Sequence, residues 1–132
     1  MNRLSLVLAA VFVPVLASCA AVGERRPPAG TVDHIVLIWL QQPGDQAAIA
    51  RIEATAADLA RAIDGIVDLN VGRALASDRD VVDDSFDVAL VMRFRDAAAM
   101  NAYLVHPVHV RAVTEVLQPL TARLLVYDVV AR

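Results

Sequence analysis

The chain has 132 residues, a formal net charge of −3, one cysteine, 58% apolar residues and 5% aromatic residues. That length suits a single domain. The mild negative balance supplies no basic face for phosphates, so nucleic acid is not an expected partner, and one cysteine excludes an intramolecular disulfide.

Residues 1–18, MNRLSLVLAAVFVPVLAS, place Arg3 ahead of an apolar run from Leu4 to Ala17 that only Ser5 and Pro14 interrupt. This is the pattern of a secretory signal. The run is shorter than the ~20 residues a helix needs to span the hydrocarbon core. It ends Leu16-Ala17-Ser18-Cys19, which resembles the lipobox of bacterial lipoprotein signals. The resemblance implies cleavage before Cys19, acylation of its thiol and its new amino group, and an anchor firmer than one acyl chain provides. Ala20 follows, not the aspartate that resembles an inner-membrane retention signal. The expected location is therefore the cell envelope, lipid-anchored at the outer membrane and facing the periplasm. Ala20 to Thr31 contain Glu24-Arg25-Arg26-Pro27-Pro28 without apolar periodicity, which reads as a flexible tether. The expected division is signal 1–18, acylated Cys19 and tether 19–31, and one folded domain 32–132.

Within that domain, Asp33–Leu40 is a β-branched and aromatic run closed by Gln41-Gln42-Pro43-Gly44, and predicts a strand. Asp45 stands at an N-cap position. Ile49, Ile52, Ala56, Leu59 and Ile63 then recur at helical spacing, and Gly65 suits a left-handed C-cap. Ile66–Leu75 alternates weakly and predicts a second strand. The acidic stretch holding Asp78, Asp80, Asp83 and Asp84 lacks the tight-turn glycine of a calcium loop, so it reads as a solvated turn. Phe86–Phe94 alternates cleanly, with Phe86, Val88, Leu90, Met92 and Phe94 on one side. Asp96 caps a short helix that must end before Pro107. A helix over Val108–Leu117 stops at Pro119, and Arg123–Val130 is the last strand.

The order βαββαβ predicts an α+β, ferredoxin-like fold: a four-stranded antiparallel sheet with both helices on one face. The first and last strands are apolar on both faces. A monomer would leave large side chains on the bare face in water, so a homodimer with sheet faces packed together is expected.

The start Asp33-His34-Ile35-Val36-Leu37-Ile38, the Ile63-Asp64-Gly65-Ile66 turn, the Phe86–Phe94 strand, the stretch Tyr103-x-x-His106-Pro107-x-His109 and the closing Leu125-Val126-Tyr127-Asp128 together resemble the stress-responsive dimeric α/β-barrel (Dabb) family, over about residues 32–130. The resemblance implies the ferredoxin-like dimer with face-to-face sheets. The family mixes proteins of structural or stress-related role with a few enzymes, among them a plant cyclase that closes a polyketide ring by aldol condensation. By position, that cyclase's catalytic tyrosine and histidine fall on Tyr103 and His109, and a further pocket histidine falls on His34. The chemistry is reasonable, because a histidine near its ordinary pKa takes an acidic C–H proton and a tyrosine hydroxyl orients a carbonyl.

Architectural roles stand beside these. His106, just before proline, could cap the next helix, and His109 could donate to a backbone carbonyl, Asp33 or Asp128. His106 and Trp39 are the further candidates for a ligand pocket, Trp39 with a core or dimer-face role as the alternative. His34 could face either side of the sheet. His106 and His109 at i, i+3 form no three-ligand metal cluster, so neither a metal nor a cofactor is expected. The leading expectation is a lipid-anchored homodimer, non-catalytic or binding a small apolar ligand. The alternative is a cofactor-free cyclase, lyase or monooxygenase-like enzyme acting on an apolar carbonyl compound through His109 and Tyr103.

Overall fold

The computed structural model of the chain describes residues 26–132. The expected signal, lipidated Cys19 and first part of the tether lie outside the described residues.

Strand β1, Val32–Leu40, alternates buried and half-buried positions along its length. The turn that follows uses Gly44 at φ +76°. Asp87 pins this turn, its carboxylate accepting from the Leu40 and Gly44 N–H groups at 2.8 and 2.7 Å. Asp45 then caps α1, Gln46–Ala62, accepting from Ala47 and Ala48 N–H. Ile49, Ile52, Ala56 and Leu59 form the buried stripe of α1.

Gly65 is not the C-cap of α1. The helix ends at Ala62, and Ile63 leaves it in an extended conformation. Gly65 turns the chain into β2 at φ +104°, and a Cβ there would lie 2.8 Å from the Ala99 Cβ, so the absent side chain also admits the next helix. Strand β2, Ile66–Gly72, is shorter than the expected Ile66–Leu75. Gly72 already pairs with Ala89 near the start of β3, Val88–Phe94, so later residues have no partner strand. Phe86 falls outside β3 for the same reason and sets its ring edge against Trp39.

Asp96 caps α2, Ala97–Leu104, through Ala99 N–H at 2.7 Å. Helix α3, Pro107–Ala112, continues through a π-helical turn, Val113–Leu117, and a last turn, Gln118–Leu120. Pro119 therefore sits inside the helical run that it was expected to stop. Proline has no N–H and crowds the carbonyl four residues back, here Glu115. The π turn shifts the ladder so that Gln118 N–H reaches the Val113 carbonyl, and the Glu115 carbonyl accepts from Arg51 at 3.3 Å. Strand β4, Thr121–Val130, closes the fold.

The sheet order is β2-β3-β1-β4, with every neighbouring pair antiparallel. This is the ferredoxin-like α+β fold. Register places Val32, His34, Val36 and Ile38 of β1 beside Val88, Leu90, Met92 and Phe94 of β3, and this side is buried. Phe94, Ile38, Ile49 and Ile52 are its largest fully buried side chains. The other side carries Ile35, Leu37, Trp39, Val91, Leu125 and Tyr127, with the Asp33–Arg93 ion pair among them at 2.7 and 3.0 Å. Among the described residues, no helix is long and apolar enough to cross a membrane.

Candidate functional site

The pairing of β1 with β3 and β4 puts His34 on the helix-covered side with Val32, Val36 and Ile38, which resolves the choice the sequence left open. Its neighbour across the β1–β4 ladder is Asp128. The two side chains meet, His34 Nδ1 lying 2.6 Å from Asp128 Oδ1. A carboxylate only accepts, so Nδ1–H donates and the lone pair sits on Nε2, which has no hydrogen bond among the described residues.

Tyr103 hangs from α2 into the space between helices and sheet. Its ring lies 5.0 Å from Phe94, 6.0 Å from His34 and 4.1 Å from His109, centroid to centroid. The residue is buried. That burial drives its pKa well above the ordinary tyrosine value, so the phenol stays protonated. Its hydroxyl makes no hydrogen bond among the described residues.

His109 sits in the first turn of α3, and its Nδ1–H donates to the Leu104 carbonyl at 3.1 Å. This leaves Nε2 as the acceptor. Burial lowers its pKa from the ordinary value, against the opposing pull of the Leu104 hydrogen bond, so the ring is neutral at pH 7. His106 performs the cap: its Nδ1 accepts from Val108 N–H at 3.2 Å, ahead of Pro107.

His34, Tyr103 and His109 line one cavity of about 170 Å³. Its remaining walls are apolar: Val36, Leu59, Leu90, Met92, Leu104, Leu117, Leu124 and Val126. An apolar cavity of about 150 Å³ holds a benzene-sized molecule, so this one suits a single small ring or a short chain. His106 and Trp39, the two further pocket candidates, are not among the lining residues. His106 is committed to its cap. Trp39 lies on the opposite side of the sheet, with Arg123 stacked 4.2 Å over its ring and Nε1–H donating to Ser85 Oγ at 2.9 Å. Among the described residues, no group of three His, Cys, Asp or Glu side chains is placed to hold a metal ion.

Asp128 was weighed from sequence only as a possible partner of His109; it belongs to His34. Its signal was a lone carboxylate in the apolar alternation Leu124, Val126, Asp128, Val130. An interrupted stripe of that kind marks a position with a polar neighbour on the next strand.

A ferredoxin-like sheet whose helices roof a small apolar cavity, with two imidazoles and a phenol in its wall, defines a class of small α/β-barrel domain. The chain belongs to the Dabb family: the model of the stress responsive A/B barrel domain matches residues 32–131. A Dabb family protein with a ferredoxin-like fold from Mesorhizobium loti MAFF303099 is 25% identical, covers 78% of this chain and 98% of its own, and has a TM-score of 0.65. A dimeric ferredoxin-like protein of unknown function from Jannaschia sp. CCS1 is also 25% identical, covering 76% and 98%, with a TM-score of 0.62. Hydroxynitrile lyase from Passiflora edulis shares the fold at 20% identity, covering 80% and 96%, with a TM-score of 0.70. No curated protein sequence matches the chain.

Proposed function

We propose that the cavity binds a small, largely apolar molecule carrying one carbonyl or hydroxyl oxygen. The observation that carries this reading is the single unpartnered phenol, flanked by two histidines, in an otherwise apolar wall. Tyr103 lines the cavity, so a ligand oxygen takes the place of water at its O–H, and in an apolar surround that hydrogen bond is stronger than in bulk water. The apolar walls take the rest of the ligand. Cyclohexanone, cyclohexanol and cyclohexane, titrated by calorimetry, test this. The ketone and alcohol should bind at least tenfold more tightly than the alkane, and Leu124→Trp, which fills the cavity from its exposed edge, should abolish binding. Equal affinity for all three would refute the role given to Tyr103.

A second reading, cofactor-free proton transfer, rests on the His34–Asp128 hydrogen bond, which fixes the tautomer in the manner of an oriented general base. The lone pair on His34 Nε2 takes an α-proton from a bound ketone, the Tyr103 O–H hydrogen bonds the enolate oxygen, and the imidazolium returns a proton to carbon. In D₂O this exchanges the α-hydrogens of cyclohexanone, which proton NMR follows directly. His34→Gln should remove the exchange while leaving cyclohexanone bound; exchange at the wild-type rate in that variant rules the base out. The occurrence of a hydroxynitrile lyase on this fold in Passiflora edulis supports proton-transfer chemistry as within its reach.

The same reading makes the protein a homodimer, lipid-anchored through Cys19 in the cell envelope. The bare apolar sheet face and the dimeric Jannaschia relative support the dimer, and the Leu16-Ala17-Ser18-Cys19 motif supports the anchor. Sedimentation of the Cys19→Ser chain should give a dimer at micromolar concentration; a monomer there contradicts it.

A further inference from the structure

We infer that Leu59 determines the specificity of the cavity: its side chain is the partition between the cavity and a second hollow among the helices, and it restricts the ligand to short ketones and alcohols. This deepens the ligand reading above and rests on it. The second hollow measures about 190 Å³ and lies between α1, α3 and the π turn. Leu59 lines both spaces, and among the described residues no other side chain is shared between the two.

The helical run that starts at Pro107 parts along the same line. His109 and Leu117 face the cavity, whereas Val108, Ala112 and Val116 face the hollow. Helix α1 packs against this run, and Leu59, 4% exposed, fills the space where its two faces divide. A helical leucine is confined to χ1 settings that lean back over the preceding turn, so Leu59 does not swing clear. The apolar residues of the hollow are buried or half-buried, while its charges, Asp58, Arg111 and Glu115, stand exposed at the rim. That is a bed for a hydrocarbon chain, closed off from the cavity by one leucine.

An apolar cavity of about 150 Å³ holds benzene, so the 170 Å³ available here holds about seven heavy atoms. A longer chain is stopped by Leu59. Its other way out is the edge beside Leu124 and Val126, where it meets water and gains nothing from burial. Affinity in a homologous series should therefore rise with each methylene only until the cavity is full.

The test titrates the full chain by calorimetry with straight 2-alkanones from 2-butanone to 2-undecanone. Each fully buried methylene is worth about fourfold in affinity. In the wild type the rise should stop near 2-hexanone. In Leu59→Ala it should continue, 2-undecanone binding at least about tenfold more tightly than 2-hexanone. Leu90→Ala is the matched control, since Leu90 is as deeply buried and lines the cavity but not the hollow. It removes the same atoms without opening the partition, so the series should level again once the added space is filled. A wild-type series that climbs unbroken to 2-undecanone overturns the inference, as does a Leu59→Ala series that levels where Leu90→Ala does. Should Leu59→Ala be too unstable to titrate, Leu59→Val thins the partition and should bind 2-heptanone about fourfold more tightly than the wild type does; no gain there overturns it too. A wild type that binds neither 2-hexanone nor cyclohexanone removes the cavity reading and this inference with it, whereas binding of both with the plateau unmoved by Leu59→Ala removes the partition alone.

Discussion

Strands β3 and β4 lie on either side of β1, both antiparallel to it and both apolar on the side facing the helices. Their fates differ. Leu90, Met92 and Phe94 of β3 are at most 3% exposed, whereas Leu124 and Val126 of β4 are 41% and 45% exposed. Helix α2 packs on β1 and β3 and α1 packs on β2, but among the described residues no helix lies comparably over β4. The same alternation of side chains therefore makes a close-packed core on one flank of β1 and the wall of a cavity on the other. What decides between them is where the helical roof ends.

The largest expected effect follows from that contrast. Phe94→Ala should cost about 3–5 kcal/mol, because the fully buried ring leaves a cavity that its neighbours cannot fill. Leu124→Ala should cost about 1 kcal/mol or less, since much of the side chain is already in water. Urea midpoints of the two variants measure the difference directly. Similar losses would mean that β4 is covered in solution by something other than its own helices.

Asp128 sharpens the comparison, being the polar contribution of β4 to the covered side. A hydrogen bond to a charged group is worth roughly 1.5–3 kcal/mol, and the 44% exposure of this carboxylate discounts it, so Asp128→Asn should destabilise by about 1 kcal/mol. Under the proton-transfer reading its effect on α-proton exchange should exceed its effect on stability, because the amide no longer dictates which imidazole nitrogen carries the proton. An exchange rate unchanged in Asp128→Asn would leave the pair a structural contact alone.

This contrast also explains what was legible in advance. The order of strands and helices followed from period and punctuation, as did the caps at Asp45 and Asp96, because those signals are local. The site was half legible. His34, Tyr103 and His109 stood out as the scarce acid–base residues, and the structure gathers them at one cavity. The side on which His34 lies, and its pairing with Asp128, depend on strand register, which no single segment encodes. Trp39 misled for the same reason: in β1 an odd position faces away from the helices. Pro119 misled differently, since its usual effect on a helix is absorbed by a π turn whose freed carbonyl, that of Glu115, finds Arg51, 64 residues upstream.

The smallest effect is the pH dependence set by His109, and its sign follows from burial. Its pKa in the folded protein is below the ordinary 6.5, mainly because partial burial penalises the imidazolium, with His34 and His106 adding to the penalty. Well above pH 6.5 the ring is neutral in both folded and unfolded chains, so it contributes no slope. Below that, the unfolded chain takes up a proton before the folded one does, and stability falls with pH until the folded ring also titrates. His109→Gln retains a donor for the Leu104 carbonyl but does not titrate, so its unfolding midpoint should fall less than the wild type between pH 6.5 and 5. Asp83 does not confuse this window. Its hydrogen bonds from Ser85 hold its pKa below the ordinary 3.8, so its contribution is lost only at more acid pH. Because His109 sits at the half-open flank of β1, water reaches part of the ring and the slope should be shallow. A steep fall would mean that the cavity mouth is closed in solution, the ring then being more deeply desolvated than its place beside β4 allows.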